Sequence, residues 1–158
     1  MNSGHSDGHD TPCTLRLVNE RTVPAARVLV VDDESTIRVA LRRFFTRLGW
    51  DVDEAPSGEI ALAKLLGAED AHPFQLVICD LRMPGLSGID LHDRLASARP
   101  AILDRIIFSS GDLVSEEVAD FIEATSCLVL QKPFELSALL QTVQRLDANN
   151  DKSASGSG

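Results

Sequence analysis

Four short polar clusters in this chain are spaced so that a fold could bring them to one place: Asp32-Asp33-Glu34, Asp80, Ser109-Ser110 and Lys132-Pro133. Each directly follows a run of apolar residues. Carboxylates gathered at one rim repel one another, and a hard divalent cation with oxygen ligands, usually Mg2+, is a common way to hold them together. A carboxylate is also a nucleophile for phosphoryl transfer when a metal and a lysine screen its charge and that of the incoming oxygens. Asp80 with Lys132 suits that chemistry. A hydroxyl such as Ser110 could donate to a phosphoryl oxygen and so tie the reaction to the position of its own loop. Singly, each cluster has a plainer reading. Asp32-Asp33 before a helix satisfies free amides, Lys132-Pro133 makes a strand-to-helix turn, and Met83-Pro84-Gly85 is good turn chemistry.

The elements that must position these residues follow from hydrophobic periodicity. The runs Val28 to Val31, Gln75 to Cys79, Arg105 to Ser109 and Cys127 to Gln131 are mostly apolar, as in parallel strands covered on both faces, and Asp51 to Glu54 makes a weaker fifth at an edge. Between them lie segments with helical spacing. Ile37, Leu41, Phe44 and Leu48 form a stripe ending at Gly49. Ser57 precedes a helix reaching Gly67, Ser87-Gly88 opens one that stops before Pro100, and Ser115 starts one carrying Val118, Phe121 and Ile122. Phe134 to Leu146 closes the ordered chain. The pattern is (βα)5, an open parallel α/β sheet whose ligand site lies at the carboxyl ends of the strands.

Length and charge narrow the class. The 158 residues, 44% of them hydrophobic, suffice for one domain with a core, and the net charge of -9 argues against a nucleic-acid backbone or an anionic membrane as partner. Residues 1–25 read as a flexible leader, 26–148 as the domain and 149–158 as a flexible tail. The start lacks a secretory signal and no apolar run spans a bilayer, so a cytoplasmic protein is expected. Cys13, Cys79 and Cys127 show no disulfide or zinc spacing. Cys79 and Cys127 read as small strand hydrophobes. His5, His9, His72 and His92 read as tail or surface residues, and the arginines of the first helix as a solvated face.

At this point the chain resembles a known family, the receiver domains of two-component response regulators, over roughly residues 27 to 147. VLVVDDESTIR is similar to the family's first strand and acidic pair, CDLRMPGLSGIDL to its phosphoacceptor loop, and FSSGD with QKPF to its hydroxyl and lysine-proline signatures. The resemblance implies a flavodoxin-like (βα)5 doubly wound sheet of strand order 2-1-3-4-5. It implies that Asp80 accepts a phosphoryl group, that Asp33 ligates Mg2+ directly, that Asp32 acts through water, and that the Arg82 backbone carbonyl adds a ligand. Ser110 and Lys132 would hold the phosphate. Arg82 and Asp112 stand where the family varies and tunes phosphoryl lifetime. Two residues depart from the pattern. Val129 stands three before the lysine, where Tyr or Phe is common, which puts the usual aromatic switch in doubt, and Ser110 replaces a frequent Thr while keeping the hydroxyl.

The function expected is a phosphoacceptor in a phosphorelay rather than an enzyme. Its donor would be a histidine kinase or histidine phosphotransfer protein and its output a downstream protein partner, with homodimer formation left open. Two other classes compete. A pseudo-receiver would use the same fold purely for interaction, against which the intact acidic, hydroxyl and lysine residues count. An aspartyl-phosphate phosphohydrolase would need a second acid two residues after its nucleophile, where this chain has Arg82.

Overall fold

The computed structural model describes residues 25–67 and 72–156. The expected leader, with His5, His9 and Cys13, lies outside the described residues apart from Ala25. Strands β1 (Arg27–Val31), β2 (Asp51–Ala55), β3 (Leu76–Asp80), β4 (Ile106–Ser110) and β5 (Leu128–Gln131) alternate with helices α1 (Ser35–Arg47), α2 (Gly58–Gly67), α3 (Gly88–Ala98), α4 (Glu116–Thr125) and α5 (Leu136–Gly156). All strand pairs are parallel, and their order is β2-β1-β3-β4-β5. Successive side chains on a strand face opposite sides. Val28 and Val30 accordingly join Leu41, Phe45, Leu139 and Val143 under α1 and α5, while Leu29 and Val31 join Leu65, Leu91, Leu95 and Phe121 under α2, α3 and α4. The sheet is thus covered on both faces, which is why its central strands are nearly continuous hydrophobic runs.

Local chemistry sets the helix ends. Ser87 and Asp90 form a reciprocal capping box at α3, and the Ser115 hydroxyl accepts from Val118 N at the start of α4. Gly49 takes φ +86 just after α1, the left-handed conformation expected beyond a helix end. A 3-10 turn, Pro100–Arg105, leads from α3 into β4 and was not foreseen.

Three expectations need correction. First, β3 and β4 end one residue later than their apolar runs, so Asp80 and Ser110 are the last residues of their strands: Asp80 is in register with Ser109, and Ser110 with Gln131. Second, the last helix continues past Leu146 to Gly156, taking in residues read as flexible tail. No Pro or Gly interrupts the chain between Phe134 and Gly156, so nothing stops the helix earlier. Third, the α1 arginines are not a merely solvated face. Arg38 Nε and Arg42 pair with Glu54 of β2 at 3.3 and 2.5 Å, and Arg38 also donates to the Asp32 carbonyl at 2.7 Å. Such pairs contribute little each, but they fasten α1 across the edge strand. Among the described residues no helix is long and apolar enough to cross a membrane.

The aromatic corner under α1 carries much of one core face. Phe45 is 1% exposed and packs edge-on against Phe44 and against Trp50, the only tryptophan. Phe45→Ala should therefore cost about 3–5 kcal/mol of stability, read from urea unfolding followed by Trp50 fluorescence. A loss below about 1 kcal/mol would mean that this corner collapses around the gap.

Candidate functional site

Sheet continuity carries the acidic residues to one edge of the molecule. Beyond β1 the chain stays tied to the sheet, because Asp32 N donates to the Ala55 carbonyl at 3.2 Å. Asp32 is 2% exposed and Asp80, at the end of the adjacent β3, is 5% exposed. Lys132 follows β5, held there by its own amide donating to the Ser110 carbonyl at 2.8 Å, and a cis bond joins it to Pro133. Its Nζ meets Asp32 Oδ2 at 2.8 Å, Asp80 Oδ2 at 3.0 Å and Glu34 Oε1 at 3.4 Å. The other Asp80 oxygen, Oδ1, accepts from Arg82 N at 3.2 Å.

Electrostatics explain why the lysine is there. Burial raises the Asp80 carboxyl above its ordinary 3.8, the hydrogen bond and charge of Lys132 pull it back, and the neighbouring charge of Asp32 adds to the rise. Burial works against the Lys132 ammonium too, yet its hydrogen bonds to Asp32 and Asp80 outweigh that and hold it above its ordinary 10.5. The lysine is therefore firmly protonated, and one cation is shared among three acids.

Asp33 and Glu34 exchange prominence relative to the sequence reading. Residues two apart on an extended chain share a side. Glu34 has extended backbone (φ -90, ψ 115) and, though exposed like Asp33, reaches Lys132 as Asp32 does. The i, i+2 spacing of Glu34 from Asp32 is the sequence signal for this placement. One oxygen each from Asp32, Glu34 and Asp80 can be chosen so that all three lie within 4.8 Å of one another. This all-oxygen donor set suits a hard divalent cation, and the charge left over after Lys132 favours one.

The remaining residues sit in the loops around this group. Ser110 is fully buried, and its hydroxyl is engaged locally, donating to the Asp112 carbonyl and accepting from Asp112 N, both at 3.1 Å. Arg82 is exposed and pairs with Glu117 of α4 at 3.7 Å. Cys79 is buried beside Asp80, and its thiol is pushed far above its usual range by burial and then by the charges of Asp80 and Asp32, so it is an unreactive core residue. Val129 faces the core in register with Phe108. There is an aromatic cluster nearby, but it is built differently: Phe108, Phe121 and His92 pack together, with the His92 ring edge-on to Phe121 at 5.1 Å. His92 is thus half-buried rather than a surface residue.

A doubly wound parallel sheet with buried acids and a lysine at its carboxyl edge defines a class, and comparison with known proteins agrees with it. Residues 28–144 match the response regulator receiver domain, and the chain belongs to that family. It is similar to the transcriptional regulatory protein ResD of Bacillus subtilis, 43% identical over 120 residues that make up 76% of this chain and 47% of that protein. It is also similar to the transcriptional regulatory protein PdtaR of Mycobacterium tuberculosis, 37% identical over 75% of this chain and 55% of that one. The chain spans about half the length of these relatives. Among solved structures, the chemotaxis protein CheY4 of Vibrio cholerae is similar at 30% identity and a TM-score of 0.64, covering 78% of this chain and 99% of that one. The response regulator TrrA of Thermotoga maritima, solved in complex with Mg(2+)-BeF, is similar at 31% identity and a TM-score of 0.62, covering 77% and 98%.

The raised Asp80 carboxyl has a sign that can be checked. The folded chain holds this proton more tightly than the unfolded chain, so stability falls as pH rises from 3.8 through the raised value and stays lower above it. In buffer with a chelator, Asp80→Asn should be more stable than the parent at neutral pH, and the difference should shrink on acidification towards 3.8. Denaturant midpoints across that range test it; a variant less stable at neutral pH contradicts the account.

Proposed function

We propose that this receiver domain is a phosphoacceptor that takes a phosphoryl group on Asp80 from a phosphohistidine donor, with Mg2+ as cofactor. The observation that carries the reading is Lys132 Nζ bridging the buried carboxylates of Asp32 and Asp80 at 2.8 and 3.0 Å. A buried aspartate oxygen at a strand end, with a protonated lysine beside it, has the position and the screening that attack on a phosphohistidine phosphorus needs. The new bond forms from an Asp80 oxygen to phosphorus, the bond from phosphorus to the donor nitrogen breaks, and the phosphoryl oxygens gain the Lys132 ammonium. Ser110 would donate to them once its hydroxyl leaves Asp112.

Mg2+ supplies neutralisation of the carboxylate and phosphoryl charges when bound. Asp80 and Asp33 would hold it directly, with the Arg82 backbone carbonyl, and Asp32 through water. That TrrA was solved in complex with Mg(2+)-BeF supports this cofactor for a similar site. The domain acts as a regulatory phosphoacceptor rather than an enzyme, working in the cytoplasm on a downstream protein partner.

The donor also has a place to dock. A groove of about 500 Å³, lined mostly by apolar surface of Ile37, Ala40, Leu41, Pro133, Phe134 and Leu136, runs between α1 and the start of α5. Glu34 and Lys132 line the groove as well as the site, so a protein seated there presents its phosphohistidine next to Asp80. An apolar helix face of the histidine kinase or histidine phosphotransfer protein is its occupant in this reading.

Intact mass after incubation with acetyl phosphate and Mg2+ should show one added phosphoryl group in the parent and none in Asp80→Asn; no Asp80-dependent gain from acetyl phosphate or any phosphohistidine donor would refute the reading. The groove gives a separate prediction. Ala40 is exposed, so Ala40→Glu should leave folding and acetyl phosphate labelling unchanged while slowing transfer from a cognate protein donor about 10-fold, equivalent to about 1.4 kcal/mol. Equal slowing with both donors would remove the groove from the account.

A further inference from the structure

The loop between β3 and α3, residues 81–87, carries Arg82, and its two halves are secured in different ways. Its near half is tied to the sheet and core: Leu81 N donates to the Ser109 carbonyl at 2.8 Å, Arg82 N to Asp80, and Met83 is buried. Its far half has Pro84 and Gly85 exposed, and Ser87 is bonded within its own helix cap. There, the first turn of α2 grips the Leu86 peptide on both edges. Glu59 Oε2 accepts from Leu86 N at 3.0 Å, and a Cβ placed on Gly58 would stand 2.1 Å from the Leu86 carbonyl oxygen. The Glu59 carboxylate also lies over Gly85, which has φ +76 and whose added Cβ would come within 2.7 Å of Oε2. Glycine at 58 and 85 is thus what lets α2 and the loop close on each other.

From this geometry we infer that Glu59 is a positioning residue for the phosphorylation site: by holding Leu86 it fixes the far half of the loop whose near half carries Arg82, and so supports the cation affinity of the site. The inference rests on the reading that the site binds Mg2+. Glu59 touches neither Asp80 nor Lys132, and its carboxylate acts only as a hydrogen-bond acceptor. Its effect should therefore fall on metal affinity rather than on the chemical step, and a neutral acceptor should replace it.

The test compares the parent, Glu59→Ala and Glu59→Gln as full chains, by calorimetric titration with Mg2+ and by the Mg2+ concentration giving half-maximal acetyl phosphate labelling of Asp80. Glu59→Ala is expected to weaken Mg2+ binding about 10-fold, as loss of a group supporting a metal site commonly does. Its labelling rate at saturating Mg2+ should stay near the parent's, and the Leu86 amide should exchange faster with solvent. Glu59→Gln should behave like the parent. Unchanged Mg2+ affinity in Glu59→Ala overturns the inference, as does a Glu59→Gln variant that falls as far as Glu59→Ala. A parent that binds Mg2+ but takes up no phosphoryl group would refute the proposed function alone, since the calorimetric comparison still decides the role of Glu59; a parent that binds no Mg2+ overturns both.

Discussion

The sharing of one lysine among buried carboxylates is the interaction on which the rest of this structure depends. Asp32 and Asp80 are nearly out of solvent at the ends of adjacent strands, where like charges strongly disfavour ionisation. A cation placed between them makes the ionised pair tolerable, and that cation comes from the far side of β4. Neighbouring strands lie about 4.8 Å apart, so Lys132 after β5 must reach across roughly 10 Å to β3 and further to β1. That reach needs a long side chain and a clear path.

Parallel strands in fixed register then become a functional requirement. A slip of one residue in β1 would exchange the sides of Asp32 and Asp33 and send Val30 out of one core face into the other. The two cores guard against this, because each strand contributes alternate residues to both. The loop after β4 is organised by hydrogen bonds to side chains. Asp112 bonds the Ser110 hydroxyl through its backbone and, through Oδ1, caps Val114 N and Ser115 N at 3.1 and 3.0 Å. Withdrawal of the Ser110 hydroxyl would thus loosen one end of a short polar network that leads directly into α4. Val129 offers no aromatic ring to follow such a change, so the movable neighbours on this side are the network itself and the Phe108, Phe121 and His92 cluster behind it.

What could be read from the sequence and what could not differ in physical kind. The strands and the four polar clusters were legible because apolar periodicity and strand-end position are local signals, whereas the strand order, a non-local property, came only from the family resemblance. The residues brought together are the expected Asp32, Asp80 and Lys132. Asp80 and Ser110 were placed just after their strands instead of within them because an apolar run ends before the hydrogen-bond ladder does. Glu59 gave no local sign at all: its partner Leu86 lies 27 residues away, and an exposed acid in a first helical turn already has a sufficient explanation in the helix dipole. His92 was misjudged because a lone histidine on an amphipathic helix carries no mark of which face it takes, and only packing against Phe121 settles it.

The same ion pair bears on how a phosphoryl group could change the domain's behaviour under the proposed function. Before transfer, Lys132 is fully engaged with Asp32 and Asp80, and Ser110 is fully engaged with its own loop. Both donors are therefore satisfied, and the site needs neither of them to move. A phosphoryl group on Asp80 adds acceptors stronger than the carbonyl now bonded by Ser110 and competes with Asp32 for the lysine. The chain's response is then set by which of two satisfied arrangements is lower in free energy, a difference that a new charge at Asp80 changes. On this account the switch resides in the reassignment of two donors at the ends of β4 and β5, and it requires no aromatic ring at position 129.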